Sequence, residues 1–151
     1  MKLRAAAAED AERLASVHAR AFDASWTAPD IARLMQIMGG FALVAEEDDV
    51  IGFILARTMG GEAEILTLAV APWARRKGVA AALVEATATR ARALGAGALF
   101  LEVAADNQAA RGVYRRAGFE EAGLRRAYYA RSGAPAMNAL VLRRVLNSQG
   151  S

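Results

Sequence analysis

Cysteine is absent from the 151-residue chain, which excludes disulfides, thiolate metal ligands and a cysteine nucleophile. A single histidine, His18, leaves no imidazole cluster for a metal. Acid-base chemistry therefore falls to carboxylates, tyrosines or lysines, and no metal is expected. A dense basic tract is also missing: nineteen lysines and arginines are spread among sixteen acids, for a net charge of +3. That dispersion disfavours a nucleic-acid partner and leaves an anionic small molecule as the better match. Residues 1–8 hold two cations and a short alanine run before Glu9 and Asp10. They predict neither a secretory signal nor a membrane span, so a cytoplasmic protein with no membrane partner is expected.

What is present is apolar and rich in alanine, which argues for a packed core over disorder. No linker or internal repeat interrupts residues 1–146, which read as one domain, with residues 147–151 as a frayed tail. Lys2 to Ala5 reads as a short edge strand. Residues 8–22 read as a helix, with Leu14, Val17, Ala21 and Phe22 at helical spacing. His18 lies in that helix, where nothing in sequence would orient it for catalysis. Thr27 and Pro29 open a second helix that ends at Gly39 and Gly40. Residues 41–45 and 50–58 form a hairpin around the acidic turn Glu46, Glu47, Asp48 and Asp49, and Gly60 and Gly61 make the next turn. Residues 64–70 alternate little and predict a strand buried on both faces. A helix over 78–94 and a strand over 98–103 complete a strand, helix, strand unit with a parallel crossover. Asp106 and Asn107 cap a further helix closed by Gly118. Residues 119–123 and 135–143 are the last strands, joined by a polar, tyrosine-bearing segment over 125–133. This order predicts an α/β (α+β) protein with a mixed sheet of about seven strands and helices on both faces.

Residues 70–80 run from an apolar strand end through Pro72 to Gly78 and a helix start. The first turn of a helix has unpartnered N–H groups and a partial positive charge, so a turn of low bulk in front of it can hold a phosphate. Arg75, Arg76 and Lys77 stand there as solvated cations or as attractors of that anion. The segment is not a P-loop, since Lys77 precedes the glycine and no Gly-Lys-Ser/Thr follows; the three-glycine dinucleotide fingerprint is also absent. Glu102 is the one acid in an otherwise apolar strand. A buried carboxylate is costly unless paired or solvated; Glu102 is therefore either part of a structural ion pair or a base acting directly or through water. Tyr114 falls on the apolar face of the next helix, as a core residue or as a phenol able to protonate a departing thiolate.

Val70-x-Pro72-x-x-Arg75-x-x-Gly78-x-Ala80, followed by Leu101-Glu102-Val103, Asn107, Ala109-Ala110 and Tyr114-x-x-x-Gly118-Phe119, resembles the Gcn5-related N-acetyltransferases (GNAT). Glu62-Ala63-Glu64-Ile65-Leu66, Leu-Glu-Val-x-x-x-Asn and Arg126-x-Tyr128-Tyr129 are similar to bacterial ribosomal-protein-alanine acetyltransferases of the RimI type. The resemblance runs from about Ala19 to Leu142. It implies the GNAT fold, acetyl-CoA as donor and no metal. It also implies that Leu68, Ala69 and Val70 hold the thioester and pantetheine, with a backbone N–H on the oxyanion. Arg75, Arg76, Lys77, Gly78, Val79 and Ala80 would take the diphosphate, and Asn107 would contact the CoA arm. Glu102 would be the base, with Glu64 as a spare, and Tyr114 the acid. Phe22, Trp26, Tyr128 and Tyr129 would border the peptide groove, with Glu64 also counted on the substrate side. Asn138 stands where the family more often has Asp, a departure that bears on recognition of the substrate's N-terminus.

The acceptor implied is a protein N-terminus, the alanine of a small-subunit ribosomal protein. An α-amine with a pKa of about 7.8 costs only about 1 kcal/mol to deprotonate near neutrality, against about 4.6 kcal/mol for a lysine. A lone glutamate suits the former. Acetylation of a small-molecule amine or an internal lysine, and a non-catalytic acyl-CoA-binding module, are the alternatives. A monomer or weak dimer is expected.

Overall fold

A computed structural model describes residues 1–131 and 134–146, with side chains described for 1–124 and 138–146. The tail expected at 147–151 lies outside the described residues. The chain opens with strand β1 (Lys2–Ala5), a one-turn 3-10 helix (Ala8–Asp10) and helix α1 (Ala11–Ala21). Arg4 fixes that corner: its guanidinium donates to both oxygens of Asp10 at 2.9 Å and to Glu46 at 3.1 Å. The Ala7 N–H adds a 2.7 Å bond to Asp10. The helix predicted over 8–22 is therefore divided at Asp10, whose side chain serves the preceding turn.

Helix α2 (Ala28–Gln36) begins at Thr27, whose hydroxyl accepts from the Asp30 N–H at 3.2 Å, the capping bond that threonine at this position supplies. It ends before Gly39, where φ is +80° and a side chain would collide with the Thr58 carbonyl. Strands β2 (Gly40–Glu47) and β3 (Asp49–Met59) form the expected hairpin, but the turn is tighter than the acidic run suggested. Glu47 already pairs with Asp49, and Asp48 alone makes the reversal at φ +64°. Aspartate tolerates that left-handed conformation better than most residues.

Strand β4 (Glu62–Val70) follows the Gly60 and Gly61 turn, helix α3 (Val79–Ala93) crosses over, and β5 (Ala98–Ala104) returns parallel to β4. Helix α4 (Gln108–Arg116) then leads to β6 (Glu120–Arg131) and β7 (Ala134–Val145). The seven strands lie in the order β1-β2-β3-β4-β5-β7-β6, antiparallel throughout except between β4 and β5. The segment 125–131, read from sequence as part of a polar connector, continues β6 by pairing with β7 from Arg125 opposite Ala139 to Arg131 opposite Ala134.

Two cores cover the two faces. Leu14 and Val17 of α1 and Ile31 of α2 pack on Val44, Phe53, Leu55 and Ala69. Val79, Leu83 and Val84 of α3 and Tyr114 of α4 pack on Ile65, Leu99, Leu101 and Val103. Continuous burial belongs to β3, where residues 50–56 are all buried, and not to β4 as expected. In β4 the residues Ala63, Ile65, Thr67 and Ala69 are buried, while Leu66, Leu68 and Val70 are half-buried and Glu64 is exposed. The half-buried Leu66, Leu68 and Val70 fall beyond Glu64, the last residue of β4 that pairs with β5. Among the described residues no helix is long and apolar enough to cross a membrane.

Candidate functional site

The parallel ladder between β4 and β5 has two rungs, Ala63 opposite Leu99 and Glu64 opposite Phe100. Just past them, β4 carries a bulge. Leu55 of β3 pairs with Thr67 and Ala56 with Ile65, so Leu66 is the extra residue. A bulge bends the strand that contains it and increases its twist. Beyond Glu64 the two strands diverge, and a notch opens in the middle of the sheet between residues 65–70 and the end of β5.

Side-chain alternation distributes the candidate residues around this notch. Leu101 and Val103 face the α3 and α4 core, so Glu102 between them projects from the opposite face, half-buried and opposite Val141 of β7. Ala63 and Ile65 also face α3, which puts Glu64 on the same face as Glu102. Glu64, Phe100, Glu62 and Arg57 help to line a depression of about 180 Å³ at the closed end of the notch. Tyr114 is on the other side: 8% exposed, it packs in the α3 core with its ring edge-on to Phe119 at 5.5 Å. Glu102 and Tyr114 thus stand on opposite faces of the sheet.

Leu68 and Val70 lie on the α3 side of β4, half-buried against that core, and Ala69 points the other way into the α1 and α2 core. The chain then turns through Pro72–Ala74 into the segment bearing Arg75, Arg76, Lys77 and Gly78, all exposed. Arg76 has φ +66° and Gly78 φ +79°. Gly78 is the residue before α3 and supplies no side-chain cap, so the N–H groups of the first turn, beginning at Val79 and Ala80, face the loop. A Cβ added at Gly78 would meet nothing within 4 Å, so the turn is uncrowded at that residue. Val79 is itself buried, so its contribution to a ligand is confined to the backbone.

Asn107 is exposed and caps α4, its side-chain oxygen accepting from the Ala110 N–H at 3.1 Å. Phe22 and Trp26 flank the α1–α2 connection: Phe22 is 41% exposed, Trp26 half-buried. The side chains of Tyr128 and Tyr129 lie outside the described residues; the backbone places both in β6, with Tyr129 opposite Met137. Asn138, half-buried, accepts from the Ala105 N–H through its carbonyl at 2.8 Å, tying β7 to the end of β5.

Two features of the site were missed in sequence. The bulge at Leu66 sits in an apolar run without the glycine that often marks one. His18, set aside as a helix histidine, is 2% exposed and bonded on both nitrogens: Nδ1 accepts from the Trp26 N–H at 3.2 Å, and Nε2 lies 3.2 Å from the Thr67 hydroxyl. Burial holds its pKa below the usual histidine value, which favours the neutral ring. The spacing of His18 and Phe22, one helical turn apart, was the available signal.

The mixed sheet parts between its two parallel strands, and α3 starts beyond that gap without a side-chain cap. Residues 11–119 match the model of the acetyltransferase (GNAT) family, and the chain belongs to that family. It is 32% identical over 97 residues to the [ribosomal protein bS18]-alanine N-acetyltransferase of Haemophilus ducreyi, covering 64% of this chain and 67% of that protein. It is 42% identical over 82 residues to the N-alpha-acetyltransferase RimI of Mycobacterium tuberculosis, covering 54% of this chain and 50% of that one. An uncharacterised Mycobacterium leprae protein is 35% identical over 134 residues, 84% of this chain but 36% of its own length. The crystal structure of the ribosomal-protein-S18-alanine N-acetyltransferase from Escherichia coli superimposes with a TM-score of 0.88 at 24% identity, over 97% of this chain and 94% of that one. The last likeness is one of fold.

Proposed function

We propose that this chain transfers the acetyl group of acetyl-CoA to the N-terminal α-amine of a protein, the terminal alanine of a small-subunit ribosomal protein being the favoured acceptor. The observation that carries this reading is the notch itself: two strands diverge after Glu64, with a carboxylate at Glu102 on one face and a phenol at Tyr114 on the other. The relatives named as alanine and α-amine acetyltransferases support the choice of acceptor.

The donor fits the residues present. A diphosphate would sit at the turn before α3, on the N–H groups of Val79 and Ala80, which no side chain caps, with Arg75, Arg76 and Lys77 supplying attraction. The half-buried apolar side chains of Leu68 and Val70 would lie along the pantetheine, with a β4 backbone N–H near the thioester oxygen and Asn107 at the CoA arm. Acetyl-CoA supplies an activated acetyl group and a thiol leaving group.

Glu102 would accept the proton of the amine, directly or through one water, from the face it shares with Glu64. Tyr114 would donate its proton to the sulfur as the carbon–sulfur bond breaks and the amide forms. Phe22, Trp26, Tyr128 and Tyr129 would border the peptide. The test is incubation with acetyl-CoA and alanine-initiated peptides, with N-terminally blocked, lysine-containing peptides and small amines alongside. Mass gain confined to free N-termini is the expected result; turnover of small amines or lysines alone would move the assignment to those acceptors. CoA binding without any acetyl transfer would identify a binding module.

A further inference from the structure

We propose that His18 is a positioning residue for the acceptor, tying the segment 22–26 to β4 at Thr67, one residue beyond the bulge. The inference rests on the acceptor side assigned above. Because Nδ1 accepts from the Trp26 N–H at 3.2 Å, it carries no proton; the neutral ring then has its hydrogen on Nε2, 3.2 Å from Thr67 Oγ1, and donates to that hydroxyl. The imidazole is stacked on both aromatics of the segment, 4.5 Å from the Phe22 ring at 28° and 5.1 Å from the Trp26 ring at 21°. His18 and Thr67 are 2% and 8% exposed, so both hydrogen bonds are shielded from water.

One ring therefore sets three things at once: the backbone at Trp26, the planes of both aromatics, and the distance of the segment from the part of β4 that borders the notch. Phe22 is 41% exposed, so a ring oriented by His18 also presents surface to whatever occupies the groove. An apolar residue at position 18 could fill the volume but could not hold the Trp26 N–H and the Thr67 hydroxyl together. His18 lies on the α1 and α2 face, whereas the diphosphate turn starts α3 on the other; loosening the tie is expected to affect the acceptor and spare the donor.

The test varies an alanine-initiated peptide and acetyl-CoA separately, with wild type, Thr67→Val, Thr67→Ser, His18→Asn and His18→Phe. Thr67→Val is expected to raise the KM for peptide by roughly five- to tenfold and to lower the melting temperature by a few degrees, since the Nε2–H is left buried without an acceptor, with the KM for acetyl-CoA near wild type. Thr67→Ser restores the hydroxyl and the affinity. His18→Asn, with Oδ1 in place of Nδ1, falls between wild type and His18→Phe. Unchanged peptide KM in folded Thr67→Val and His18→Asn, or equal rises in both KM values, overturns the proposal. A second readout does not depend on the acceptor. The chain has two tryptophans, so in a Trp73→Phe background Trp26 reports alone. Its fluorescence is expected to become more accessible to acrylamide when Thr67 or His18 is replaced, and unchanged quenching refutes the tie. If wild type acetylates no N-terminal peptide while Trp26 still responds, the acceptor assignment falls and the tie stands.

Discussion

Glu64 stands opposite Phe100 at the last rung of the β4–β5 ladder, and both side chains share a face with Glu102, two residues further along β5. The sheet is closed on one side of that rung and open on the other. On the proposed reading the chemistry lies on the open side, where Glu102 stands beyond the rung and Glu64 does not.

Glu102→Gln is expected to lower kcat by roughly 10²–10³-fold, the usual worth of a positioned general base. Glu64→Gln, on an exposed side chain at the closed end, is expected to change it only a few-fold. Steady-state kinetics with a peptide acceptor check this, and a larger loss for Glu64→Gln transfers the role of base to that residue.

Tyr114→Phe keeps the ring that packs edge-on to Phe119 and removes only the hydroxyl. A fall in kcat of roughly 10²-fold is expected if the phenol protonates the leaving thiolate. Binding of acetyl-CoA, measured by calorimetry, should stay near wild type. Full retention of turnover would leave Tyr114 as a core residue.

At the diphosphate turn, backbone shape is expected to matter more than charge. Gly78 has φ +79°, which costs a non-glycine residue roughly 1–2 kcal/mol. Gly78→Val should weaken acetyl-CoA binding by about tenfold. Lys77→Ala, which removes an exposed and screened charge, should weaken it about two- to threefold and less at high salt. The reverse order of affinities would mean that side-chain charge does most of the holding.

The corner of β1 predicts an acid-sensitive term in stability. Arg4 and the Ala7 N–H lower the Asp10 pKa from 3.8 to about 2. The unfolded chain therefore binds a proton at Asp10 before the folded one does. The stabilisation is full above the unfolded value and is lost as the pH falls through about 2. Asp10→Asn should destabilise by roughly 1–3 kcal/mol at neutral pH, and urea melts should show the difference from wild type shrinking between about pH 4 and pH 2.

Local chemistry alone located most elements. Thr27 and Asn107 cap the helices they were expected to cap, because the capping bond spans only three residues and needs no tertiary partner. The glycines at 39, 78 and 118 take positive φ at the element ends where they were read, since only glycine enters that region freely. The strand, helix, strand unit around α3 was legible for the same reason. Its parallel pairing follows from the length of the crossover.

Other features depend on partners distant in the chain. The parting of β5 from β4 after Glu64 and the extra residue at Leu66 are matters of register with strands distant in the chain, which composition does not mark. The extension of β6 to Arg131 depends on pairing with β7, which overrides a polar segment's weak strand preference. His18 gains its orientation from Thr67, 49 residues away. The sequence by itself determined most of the elements and the caps at Thr27 and Asn107, because these rest on contacts within a few residues. Only the tertiary structure decided that the sheet parts after Glu64, that Glu102 and Tyr114 stand on opposite faces of the gap, and that a histidine joins the α1–α2 segment to its edge. Those relations arise from strand register and packing across the sheet, which no local pattern encodes.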